Sequence, residues 1–141
     1  MIDEELLLRK ELHANDGILR LAPSFVARTS YPGMGRLRLR EYYVSPERGW
    51  ICERWLASCV EAVNPVEVEN EGLSFLSFTQ GSGELSLRDA LSVDPGRMLG
   101  YRYAREHNNR FGVLTKVLDI GKPIPWHVHA REEDARRYWN M

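Results

Sequence analysis

Cysteine is scarce in this chain. Cys52 and Cys59 are the only two in 141 residues, too few for the disulfide framework of a small secreted domain. No second cysteine pair or neighbouring histidine completes a zinc knuckle. They read as reduced thiols of a cytoplasmic protein, filling space as small apolar side chains. An excess of charge of one sign is also missing. With 19 Lys and Arg against 20 Asp and Glu, nothing global recruits the chain to nucleic acid or to an anionic membrane surface. No apolar run approaches the roughly 20 residues that cross a bilayer. The acidic start, Met1-Ile2-Asp3-Glu4-Glu5, is unlike a secretory signal. There is no internal repeat and no low-complexity tract. What is present, 43% hydrophobic and 28% charged residues, is the composition of one globular domain rather than of a disordered segment.

Periodicity and punctuation place the elements. Leu6, Leu7, Leu8 and Leu12 among charges predict an N-terminal helical segment over 1–15. Asn15-Asp16-Gly17 closes it, since these residues tolerate the left-handed backbone of a helix stop. Residues 18–21 and 25–29 read as extended pieces around Pro23. Tyr31-Pro32-Gly33 is loop chemistry. Leu37, Leu39 and Tyr43 alternate with Arg36, Arg38 and Arg40, the period of a half-buried strand. Residues 50–60 read as a buried strand, and 73–78 as a short one. Between them Pro65, Glu67, Glu69 and Glu71 make a solvated loop. A helical insertion is expected over 86–108. Ser86 is its first cap, Asp94 before Pro95 its second, and the second helix runs from Pro95 to about His107. Core strands are expected over 111–129, with a turn at Gly121-Lys122-Pro123. Residues 130–140 read as an amphiphilic helix.

The most chemically suggestive run is Trp126-His127-Val128-His129. On a strand, residues two apart share a face, so His127 and His129 would project together. Two imidazoles on one strand supply half of a tetrahedral or octahedral metal site. The alternative is a pair of ordinary polar histidines. The spacing from Gly121 through His127 and His129 to Glu133 follows the first half of the general cupin metal motif. Asn140 stands where that motif has a glycine. Arg28, Arg36, Arg38, Arg40 and Arg48 form a mildly basic group, suited either to a phosphate or to a solvated strand face. Trp50, Trp55, Trp126 and Trp139 suit core packing or a sugar-stacking platform.

A longer match joins these pieces. Leu114-Thr115-Lys116-Val117-Leu118, followed by Lys122-Pro123-Ile124-Pro125-Trp126-His127-Val128-His129, resembles the type I phosphomannose isomerase stretch Leu-x-Lys-x-Leu … Lys-Pro-Leu-Ser-x-Gln-x-His-Pro. Glu53-Arg54-Trp55-Leu56-Ala57 resembles that family's Glu-Leu-Trp-Met-Gly. Ser86-Leu87-Arg88-Asp89 resembles its Ser-Leu-x-Asp, and Leu19-x-Leu21-x-Pro23-x-Phe25 its opening. The matches keep their order from about residue 18 to residue 140. The resemblance implies a mainly β, cupin-like jelly-roll with inserted helices, of which this chain is the N-terminal portion with an incomplete barrel. It implies a divalent metal such as zinc, held by His129 and by His127 in place of a glutamine. It also implies Lys116 and Glu53 as site residues of a sugar-phosphate aldose–ketose isomerase. Read as residues alone, Lys116 and Glu53 are equally surface or paired charges. Pro125, Ala130 and Cys59 depart from the family pattern, and its remaining ligands fall beyond Met141. Two other functions stay open. One is a non-catalytic cupin binding a sugar phosphate or other small carbohydrate. The other is a general cupin enzyme using His127, His129 and Glu133.

Overall fold

Strand β3, Gly49–Leu56, is the strand with which the other described strands pair. The computed structural model describes residues 4–29, 43–79, 84–124, 126 and 128–139. Along one edge β3 pairs antiparallel with β1, Ser24–Arg28. Its other edge is shared by two short strands. β2, Tyr43–Ser45, pairs with its start, and β4, Thr115–Leu118, pairs with its end. The result is an open four-stranded antiparallel sheet. Val26 faces Glu53 while Ala27 faces Ile51, so Cys52 is an extra residue on β3. Such a bulge bends and twists a strand locally.

The described residues form five helices: α1 (Glu4–Ala14), α2 (Leu87–Val93), α3 (Pro95–Leu99), α4 (Tyr101–Glu106) and α5 (Glu132–Trp139). Leu8 of α1 joins Leu76, Leu85, Leu87, Ala90 and Leu91 in one buried cluster. The same helix is held by a polar anchor. Glu11 is buried and accepts from the backbone N–H and hydroxyl of Thr79 and from the Asn15 amide. The Thr79 hydroxyl above all holds its carboxyl below the usual carboxylate range. No helix among the described residues is long and apolar enough to cross a membrane.

The expected helix signals appear where local chemistry decides them. Ser86 accepts from the N–H of Asp89 and caps α2. Asp94 accepts from the N–H of Arg97 ahead of Pro95 and caps α3. Asp16 and Gly17 take positive φ after α1, and Asn108 and Asn109 do so after α4. Ser86→Ala is expected to cost about 1 kcal/mol, the usual worth of an N-cap, read as a lower midpoint in urea with an unchanged slope.

Other expectations are corrected. The described chain is mixed α and β rather than mainly β, with more residues in helices than in strands. The helix expected over 95–107 is broken at Gly100, whose φ of 86° no helical residue adopts. Residues 18–21 and 73–78 form no full strand. They meet at a bridge between Leu21 and Leu76. Among the described residues of 111–129, where core strands are expected, only Thr115–Leu118 forms a strand, and Thr115, Lys116 and Leu118 are exposed. Residues 124, 126, 128 and 129 are not in a strand, and Trp126 and Val128 are exposed. The alternating segment around Leu37 and Leu39 lies outside the described residues.

Candidate functional site

Glu53 and Trp55 lie two apart on β3 and so share one face of the sheet. Lys116 stands opposite Trp55 on β4, and Leu118 opposite Glu53. This register brings together the two residues that the sequence resemblance placed in one site. Lys116 Nζ is 3.4 Å from Glu53 Oε2, although 63 residues separate them. The Lys116 side chain is 35% exposed while that of Glu53 is 3% exposed. The ammonium can therefore meet a ligand, whereas the carboxylate cannot without rearrangement.

Glu53 is a junction of donors. Arg28 Nε donates to Oε1 at 3.0 Å and Trp55 Nε1 donates to Oε2 at 2.7 Å. The Arg28 guanidinium and the Lys116 ammonium both lie over the Trp55 ring, 5.8 and 5.5 Å from its centre, within the range of a cation–π contact. Burial pushes the Glu53 carboxyl upward. The hydrogen bonds from Arg28 and Trp55 and the charges of Arg28 and Lys116 outweigh it and hold the group below its usual value. Glu53 is accordingly a weak base whose acceptor sites are in use. The neighbouring Cys52 thiol is pushed up to about 11 by burial and by the charge of Glu53. It is a small buried side chain, as its scarcity and setting in the sequence suggested.

Sequence reasoning missed the second half of this network. Glu71 belongs to the stretch expected to be a solvated loop, yet it is buried. It accepts from Arg48, from the Asn64 amide at 2.9 Å and from the Ala27 N–H at 3.2 Å. Arg28 reaches across to Asn64 Oδ1 at 2.6 Å and to the Val63 carbonyl at 2.8 Å. Arg28 and Arg48 are thus partners of buried carboxylates and not a solvated strand face. Arg36, Arg38 and Arg40 lie outside the described residues. The one clue in the sequence was Glu71-Gly72. Gly72 sits against the Trp55 ring, where a Cβ would come within 2.7 Å, so this loop had to pass close to the sheet.

His127 lies outside the described residues, and His129 is exposed beyond β4 on a segment without ladder pairing. Glu133, the third ligand of the cupin spacing, is on α5 and pairs with Arg131 at 3.4 Å while 75% exposed. Among the described residues no three His, Cys, Asp or Glu side chains gather as a metal site. Chemically, the described site offers a partly exposed ammonium held by a buried carboxylate beside an indole. No protein-family model, curated protein or solved structure matches the chain.

Proposed function

We propose that the chain carries part of the sugar-phosphate site of a phosphomannose-isomerase-like cupin, of the mannose 6-phosphate and fructose 6-phosphate type. The observation behind this reading is the Glu53–Lys116 pair. Two segments matched separately to the family's site residues lie on neighbouring strands, with their charged atoms 3.4 Å apart. In an aldose–ketose isomerisation a proton moves between C1 and C2 through an enediol. Lys116 would face the developing enediolate or the phosphate. Glu53 would act as its positioning residue, aiming the ammonium through their ion pair. A zinc or similar ion at His127 and His129 would polarise the sugar oxygens when bound.

One observation favours binding without turnover. Glu53 already accepts from Arg28, Trp55 and Lys116 and is held below its usual range, which ill suits a proton shuttle. The non-catalytic sugar-phosphate-binding cupin is the second reading.

Titration of the full chain with mannose 6-phosphate, zinc present, separates these outcomes by NMR and a coupled isomerase assay. Saturable shifts confined to β3 and β4 are expected, weakened roughly tenfold in Lys116→Met, the loss of a charged hydrogen bond. Turnover to fructose 6-phosphate would support the isomerase, and binding without turnover the second reading. No saturable binding, or binding unchanged in Lys116→Met, would remove both.

A further inference from the structure

One step along β3 from Glu53, the opposite face of the sheet carries a different feature. Arg54 stands between Phe25 of β1 and Val117 of β4. Arg28 and Arg48 each hold a buried glutamate. Arg54, in contrast, has no ion-pair or hydrogen-bond partner among the described residues; its Nε, like that of Arg48, is buried and unsatisfied. A buried donor left unmade is costly, and natural structures keep such groups where something meets them. Arg54 helps line a cleft of about 200 Å³, with Leu21, Pro23, Trp55, Leu56 and Ser74 among its other walls. Ser74 is almost fully buried. Its oxygen accepts from the Ser58 N–H at 2.9 Å, which leaves its O–H without an acceptor among the described residues. The cleft therefore combines apolar walls with two uncommitted donors, one of them charged.

We propose that this cleft binds a small organic carboxylate, with the Arg54 guanidinium on its oxygens and the Ser74 hydroxyl as a second donor. The class follows from charge and shape. A single guanidinium matches the one negative charge of a carboxylate, and its planar fork fits the two oxygens. A phosphate dianion would leave a charge uncompensated among apolar walls. The volume falls below the roughly 300–1,000 Å³ of drug-sized sites, so the ligand has few carbons beyond its carboxylate. Trp55, whose ring packs in the Glu53 network, also lines the cleft, but the donors proposed here, Arg54 and Ser74, take no part in the sugar-phosphate reading.

The test is NMR titration of the full chain with isobutyrate and, separately, with inorganic phosphate, following the Arg54 side-chain Nε–H. Isobutyrate is expected to shift that resonance saturably and to bind more tightly than phosphate. Arg54→Met should weaken isobutyrate roughly tenfold or more without lowering the melting temperature, because its guanidinium has no ion-pair or hydrogen-bond partner among the described residues. A fall in melting temperature with binding retained would assign Arg54 a structural role and overturn the proposal. Tighter binding of phosphate would overturn the ligand class. Absence of a saturable Nε shift in the unmodified chain would overturn the site itself, whether or not any variant folds.

Discussion

Replacing Arg28 with methionine is expected to destabilise the chain by about 3–5 kcal/mol, the usual cost of removing one partner of a buried ion pair. Arg28 is the donor at the centre of the network. It holds Glu53 directly and ties the sheet to Val63 and Asn64. Without it, the burial that raises the Glu53 carboxyl would be opposed only by the Trp55 hydrogen bond and the Lys116 charge. Replacing both partners, Arg28→Met with Glu53→Leu, should cost less than Arg28→Met alone, because no charge is left stranded.

The pH dependence has a definite sign. The Glu53 carboxyl in the fold lies below its ordinary value of 4.5. Its contribution is therefore fully present above that value and is lost as pH falls through the depressed folded value. Urea denaturation at pH 7 and at progressively lower pH should show the gap between the unmodified chain and Arg28→Met closing on the acid side of about 4.5. A gap of equal size at every pH would mean that the arginine contributes by packing alone.

Gly49→Ala is the second substitution expected to act strongly. Gly49 begins β3 with φ of +74°, and a Cβ there would lie 2.2 Å from the Arg28 carbonyl oxygen and 2.8 Å from Thr29 Cα. Both are backbone atoms, so no side chain can swing aside. The left-handed backbone and the overpacking together should cost about 2–5 kcal/mol. The end of β1 that carries Arg28 would also be forced away from β3. Gly17 is the internal control, since it has φ of +83° but nothing within 4 Å of its would-be Cβ. Gly17→Ala should show only the backbone part, about 1–2 kcal/mol. Equal losses in the two variants would show that the close approach of Arg28 has no energetic weight.

These two cases mark where the sequence was legible. Ser86 and the Asp94-Pro95 pair could be read as caps because each acts on an N–H three residues away. The stops after α1 and α4 are similarly local. Glu53 and Lys116 could be placed together only by resemblance, because 63 residues separate them and β-pairing alone joins them. Glu71 gave no such handle. A glutamate among other acids in a Pro-containing stretch looks solvated, and its burial depends on Arg48, Asn64 and Ala27, which belong to other segments. The segment 111–129 was overread as core strand because its hydrophobic residues were taken to mean burial. Val113, Leu114, Leu118 and Val128 are in fact exposed, and the paired stretch sits at the edge of the sheet. The jelly-roll reading likewise reaches beyond the open four-stranded sheet that is formed.

All functional reasoning at Glu53 rests on the register of β4 against β3, and that register has a direct signature. The Asp119 N–H donates to the Cys52 carbonyl at 2.8 Å, which makes these two a hydrogen-bonded pair. Glu53–Leu118 and Trp55–Lys116 are then non-hydrogen-bonded pairs, whose Cα atoms approach to about 4.5 Å. Nuclear Overhauser effects between their α-protons are the first measurement to make. Strong cross-peaks for Glu53–Leu118 and Trp55–Lys116 are predicted. Cross-peaks shifted by one residue, such as Glu53–Val117, would turn Lys116 to the other face and separate it from Glu53, contradicting the proposed site.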